Sequence, residues 1–350
     1  MNRVPTAMLA LAALGIARLL PEHGVGLAVR LAAATAVVLL PGTLVARALK
    51  LRGLAPVIAW TLGLLFFALA LTFAVHGSLT LTLGIFFGVG AAALPFGLVR
   101  RPLRPPAGRS TAIALGIAIG IAVWWVAGYD GDAFFHIARV RKLDDFGGLS
   151  LHALDEFRDG GLHPGYAFPL WHGFLALVAR VGGVDPAAVV LHEPTVLVPL
   201  AFALVYEASL ALFASAWAAI AAVLAQAALT GLAPDGGGAY PILALPATAS
   251  RQLLVPAVLA LFFAFARDRS RALLATLAVA AGGLALVHPS DAVFRVVPLV
   301  GYLGARALLE REDLLRGAAG LAAVGLPTVG VLLWLRPIVH ETLSHDPSRV

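Results

Sequence analysis

Residues 100–139 read RRPLRPPAGRSTAIALGIAIGIAVWWVAGYDGDAFFHIAR, and their pattern sets the fold class of the whole chain. Arg100, Arg101, Arg104 and Arg109 crowd the start with no acid among them. An apolar run over about 110–128 follows, and at ~1.5 Å per residue it spans a hydrocarbon core of ~30 Å. Trp124, Trp125 and Tyr129 close the run, as aromatic side chains do at a membrane–water boundary. A basic end and an aromatic far end orient the segment: it leaves the cytoplasm at residue 110 and emerges outside near residue 128.

Apolar runs of similar length recur on both sides of this one. The candidate spans are 5–20, 25–46, 54–75, 79–99, 110–128, 187–210, 214–232, 252–266, 272–287, 292–309 and 317–335. Arg47, Lys50 and Arg52, two crossings before the arginine cluster, fall on the same cytoplasmic side. Residues 166–181 (YAFPLWHGFLALVARV) are apolar but short. Read as a crossing, they would move Arg267, Arg269 and Arg271 outside; read as an amphipathic helix on the outer interface, they leave that cluster inside. The second reading also keeps Arg306, Arg311 and Arg316 inside, and it gives an all-α bundle of about eleven crossings. The N-terminus is then cytoplasmic and the C-terminus extracytoplasmic, with residues 1–20 a retained first helix and 337–350 a short external tail.

Composition agrees. Hydrophobic residues make up 60% of the chain and charged residues 13%, against roughly a quarter charged in soluble domains; mean hydropathy is +0.92. The pI of about 10.3 arises from arginines in short loops, so topology control explains it and nucleic acid is not an expected partner. With no cysteine, disulfides, thiol catalysis and cysteine metal sites are excluded.

The polar residues gather in the external loop after the fifth span, about residues 129–186. Reversing the chain needs about five residues, and a long ordered loop generally carries function. Asp130 and Asp132 stand at the mouth of the span. A helix over 132–143 puts Asp132, His136 and Arg139 in one stripe. A carboxylate there can deprotonate a hydroxyl or hold a divalent cation, and a guanidinium can take a phosphate. Asp130 and Asp132 can equally cap the helix, and the basic residues can meet lipid head groups.

At these residues the sequence resembles the GT-C superfamily of membrane glycosyltransferases, in its oligosaccharyltransferase-like branch. An acidic motif ends a span, Asp132-x-x-x-His136-x-x-Arg139 follows, and then a Pro-aromatic segment from His163-Pro164-Gly165-Tyr166 to Pro169-Leu170-Trp171. The resemblance implies a seven-span core at 110–335 with two interfacial helices in its first external loop. Residues 1–109 are then a four-helix extension, which looks like that of bacterial membrane proteins related to this superfamily. It further implies a polyprenyl-phosphate-linked sugar donor, Asp132 as base or metal ligand, Asp130 as its helper, and His136, Arg139 and His163 near the substrate. The family often continues beyond such a core, so the chain reads as a short member or a piece of a longer one. A large soluble C-terminal domain and the oligosaccharyltransferase acceptor motif do not occur here, so protein N-glycosylation is not implied.

Other external polar residues join this list. Arg251 can hold a lipid phosphate or snorkel to the interface. His288 and Arg295 flank a turn on the same side, and Asp291 with Arg295 has i,i+4 spacing. Glu193, early in the sixth span, is a second candidate ligand beside Asp132 for a cation such as Mg²⁺ or Mn²⁺. A glycosyltransferase at the outer face of a bacterial plasma membrane is the expected function. A transporter or flippase of a lipid-linked or anionic substrate, or a silent scaffold, are the rival readings.

Overall fold

The computed structural model describes residues 6–97, 107–128, 131–154, 161–232, 240–310 and 314–344, and among these no strand occurs. The first part of the chain forms α1 (Thr6–Ala17), α2 (Gly24–Val38), α3 (Leu40–Ala48), α4 (Ala55–Ala74), α5 (Leu79–Ala92) and α6 (Leu94–Gly97). The loop region forms α7 (Arg109–Val126), α8 (Gly131–Asp145), α9 (Leu170–Gly182) and α10 (Pro186–His192). The remainder forms α11 (Pro194–Phe213), α12 (Ala216–Leu232), α13 (Pro246–Ala249), α14 (Val255–Asp268), α15 (Arg271–Val287), α16 (Pro289–Glu310) and α17 (Leu314–Ser344). Every one of the eleven apolar runs falls on helix. Among the described residues, six helical stretches are long and apolar enough to cross a membrane: 24–48, 55–74, 109–126, 194–213, 246–268 and 317–341. Large apolar side chains such as Trp217, Phe294 and Leu326 stand exposed on the outside, the surface of a protein embedded in lipid.

The pair α7/α11 shows why the helices pack as they do. They run antiparallel, with Arg109 Nη2 3.1 Å from Glu207 Oε1 at one end and the Trp124 ring stacked 4.1 Å from His192 at the other. Between these lies Gly116-x-x-x-Gly120, small residues that let two backbones approach. A Cβ on Gly116 would stand 2.6 Å from Pro199 Cα, and one on Gly120 2.5 Å from the Thr195 carbonyl oxygen.

Long-range polar contacts sort the turns to two ends of the bundle. At one, Glu207 gathers the α4 and α7 starts, and Arg267 donates to the carbonyls of Leu210 and Ala211. At the other, Arg30 donates to the Leu20 and Gly183 carbonyls, Leu149 N to Gly77 O, and Trp171 Nε1 to Ala244 O.

Two expectations are corrected. The 166–181 segment was expected to be an amphipathic helix with one face on the membrane interface. Instead α9 is covered all round by α2, α4 and α8, and every residue from Leu170 to Ala179 is buried. Its polar side chains, His172 and Arg180, turn to α8, where they meet His136 and Asp144, and Gly173 admits the Leu69 side chain; protein covers it where lipid was expected. The sixth span, expected at 187–210, is set by α11 from Pro194 to Phe213, and the sharp bend lies ahead of it, at 183–185. Gly183 (φ +61) ends α9, Asp185 caps α10 by accepting from Ala187 N at 2.8 Å, and α9 and α10 meet at 112°. Pro194 then starts α11 with Glu193 at the junction.

Candidate functional site

The site is built on the α8 stripe. Asp132, His136 and Arg139 do share one face, but their surroundings differ sharply. The Asp132 side chain is 66% exposed, whereas His136 and Arg139 are buried. Asp132 Oδ2 lies 3.4 Å from His136 Nε2, and His136 Nδ1 lies 2.9 Å from Nε2 of His172 on α9. A carboxylate only accepts, so the proton of neutral His136 belongs on Nε2, facing Asp132. Its Nδ1 is then the acceptor and His172 Nε2 the donor. The result is a carboxylate–imidazole–imidazole chain running from the surface into the protein. Asp130 lies outside the described residues.

Aromatic rings hold this chain in place. The His136 and His172 rings stack at 5.1 Å, and Tyr166 meets both edge-on at 5.3 and 5.9 Å. His163 stacks on the far face of Tyr166 at 4.8 Å and accepts from Gly165 N at 3.0 Å. Arg139 Nη1 donates to the Tyr166 carbonyl at 2.5 Å, and its guanidinium sits 5.1 Å from the Phe135 ring centre. Arg139 and His163 therefore position the 163–166 turn. Burial pushes the His136 pKa down to about 4; Asp132 opposes the shift, and Arg139 and His163 add to it. The Tyr166 hydroxyl is pushed up, first by burial and then by Asp132, with Arg139 and Arg251 opposing and Asp291 adding. One hydroxyl thus feels the α8 stripe and a second cluster together.

That second cluster comes from three elements. A π-helical turn, Ser250–Leu254, interrupts the helix between α13 and α14 and carries Arg251; such turns are frequent at functional sites. Arg251 Nε lies 3.5 Å from Asp291 Oδ1, and His288 Nδ1 lies 3.0 Å from Asp291 Oδ2. The i,i+4 spacing of Asp291 and Arg295 does not yield an ion pair among the described residues, because Asp291 turns to Arg251 and His288. Arg295 is left 4% exposed, with Nε, Nη1 and Nη2 all lacking a hydrogen-bond partner among the described residues. A buried guanidinium without a partner costs several kcal/mol.

Glu193 is fully buried and accepts from Thr35 Oγ1 at 2.5 Å, leaving Oε2 without a hydrogen-bond partner among the described residues. Asp132 is paired instead with His136. Among the described residues no group of three or more histidine, aspartate or glutamate side chains is arranged to hold a metal ion.

Of the residues singled out in the sequence, Asp132, His136, Arg139 and His163 come together around Tyr166, and Arg251 and His288 around Asp291, whereas Arg295 is buried apart from them. Sequence reasoning missed His172 and Tyr166. The available signal was a histidine inside an otherwise apolar run, PLWHGFLALVAR. No curated protein and no solved structure matches the chain. A family of unknown function, DUF6541, matches residues 129–345, from the threshold of the α8 stripe to the last turn of α17. That match covers more than half of the sequence, and the chain belongs to the DUF6541 family.

Proposed function

We propose that this protein is a GT-C-like glycosyltransferase of the bacterial plasma membrane, crossing about eleven times with its N-terminus inside and α8 outside. It transfers a sugar from a polyprenyl-phosphate donor to an acceptor hydroxyl. One observation carries the proposal: an exposed carboxylate backed by two buried imidazoles shares a hydroxyl's surroundings with Arg251 and Asp291, and one turn beyond Asp291 on α16 lies Arg295, a buried guanidinium with no hydrogen-bond partner among the described residues. The first is a base held in place and the second an anion receptor, the two groups that glycosyl transfer from a lipid phosphate requires.

In this reading the acceptor oxygen attacks the anomeric carbon, and Asp132 takes its proton. The bond from that carbon to the phosphate oxygen breaks, and its electron pair leaves with the polyprenyl phosphate. Arg251 and Arg295 stabilise the charge that develops on the departing phosphate. His136, fixed by His172, orients Asp132 and stays neutral.

Transport of a lipid-linked anion is a second reading. It draws on the break between α9 and α10 and on the buried Glu193 and Arg295, since broken helices and buried ionisable groups mark substrate pathways. One assay separates the two: sugar transfer from a panel of radiolabelled polyprenyl-phosphate sugars in membranes, wild type beside Asp132→Asn. The enzyme reading requires transfer by the wild type that collapses in the mutant at equal expression. Failure of every donor, or equal transfer by both proteins, would favour transport.

A further inference from the structure

Far from the α8 stripe, at the end where Arg267 ties α14 to α11, the helices α14, α16 and α17 do not close on one another. They leave a cavity of about 390 Å³, within the ~300–1,000 Å³ typical of small-molecule sites. Phe262, Phe265, Leu303 and Leu321 supply its apolar wall. Val300, also in the wall, is 50% exposed, so the cavity opens toward the lipid-facing side of α16. Among the described residues, the charged side chains in its lining are Arg269 and Arg306. Arg269 follows α14 in a left-handed conformation (φ +48) and is exposed. Arg306 is half-buried, donates to the Tyr302 hydroxyl at 3.2 Å, and lies 5.8 Å over that ring.

We infer that this cavity binds one anionic glycerophospholipid, with acyl chain against the aromatic wall and phosphate between Arg269 and Arg306. The chemistry argues for each half of the ligand. An apolar cavity open to a bilayer fills with hydrocarbon, because an empty one forfeits the dispersion contacts of its lining. A water-soluble phosphate would satisfy the arginines and leave the wall bare. The sign of the head group follows from charge: besides Arg306, the 267–271 turn sets Arg267, Arg269 and Arg271 against Asp268 alone. Basic pockets between membrane helices recognise anionic head groups on this principle.

The test is native mass spectrometry of the delipidated full-length protein, titrated with phosphatidylglycerol and, separately, phosphatidylcholine carrying the same acyl chains. Two arginines should favour phosphatidylglycerol by roughly 30-fold. The Arg269→Gln/Arg306→Gln pair should reduce that preference to near parity. Gly304→Leu should weaken both lipids, since a Cβ at Gly304 meets nothing within 4 Å and the larger side chain fills the space. Equal binding of the two lipids by the wild type, or a preference that survives the double substitution, would overturn the head-group assignment. Undiminished binding by a Gly304→Leu protein that elutes and melts like the wild type would overturn the cavity itself. The readout is lipid retention, so it stands or falls separately from sugar transfer.

Discussion

At one end of the bundle a largely buried carboxylate is met by backbone and arginine donors; at the other a buried guanidinium meets no partner among the described residues. Glu207 accepts from Leu54 N at 2.8 Å and Ala55 N at 3.0 Å, and pairs with Arg109 at 3.1 Å. It closes the N-terminus of α4 from a neighbouring helix, and Gly53 (φ +97) makes room, since a Cβ there would stand 2.7 Å from Glu207 Oε2. Nothing is left over for a ligand. At the opposite end Asp132 is largely in solvent with His136 behind it, and Arg295 is sealed in with three idle nitrogens. Completed charge networks hold helices together, whereas incomplete ones in a membrane protein mark where a substrate completes them.

The sharpest test of this contrast is Asp132→Asn. Transfer should fall about 10²–10⁴-fold, the range of a lost general base, while an exposed side chain of this kind should alter stability by less than ~0.5 kcal/mol. A melting scan beside the transfer assay measures both. A large loss of stability would make the α8 end as structural as the other and dissolve the distinction.

Glu207→Ala should do the reverse. It strands Arg109 and two backbone N–H groups, at ~3–5 kcal/mol for one partner of a buried pair. The fall in unfolding midpoint would be large, with transfer per folded molecule unchanged. A transfer defect in the remaining folded protein would sharpen the comparison differently, by showing that the two ends are coupled.

How legible these features were depended on where their partners sit in the chain. The apolar runs announced the helices, and the i,i+4,i+7 spacing placed Asp132, His136 and Arg139 on one face. The burial of α9 was not legible, because an amphipathic run reads alike whether its apolar face meets lipid or protein. The His136–His172 contact joins residues 36 apart, and Glu207 to Leu54 joins residues 153 apart. No periodicity connects such pairs. Arg295 was noticed as a charge within a span, but its isolation appeared only once Asp291 was found facing Arg251 and His288.

Acid should distinguish the ends as well. His136 is held at a pKa of about 4, chiefly by burial, whereas the unfolded chain protonates near 6.5. Between these values the unfolded state binds more protons, so stability is full above pH ~6.5 and declines as pH falls toward 4. The whole loss is on the order of 3 kcal/mol. In His136→Gln the unfolding midpoint should vary less over that window. An unaltered slope would mean that the imidazole chain is not what acid disrupts.

Arg295→Met carries the smallest expected effect and the most unusual sign. Methionine matches the length of the arginine stem and suits an apolar interior, and it removes a charge that no described protein group compensates. Replacing buried ionic groups by apolar ones of similar volume has stabilised proteins by about 1–4 kcal/mol, and one unpaired cation belongs toward the lower part of that range. The melting temperature of the ligand-free protein should therefore rise while transfer falls, with the Asp132 side of the site left intact. Arg295→Lys, which keeps the charge but not the fork, should retain more transfer than Met and gain no stability. A Met variant that melts earlier would show that Arg295 already has a partner, and the α16 end would then resemble the Glu207 end after all.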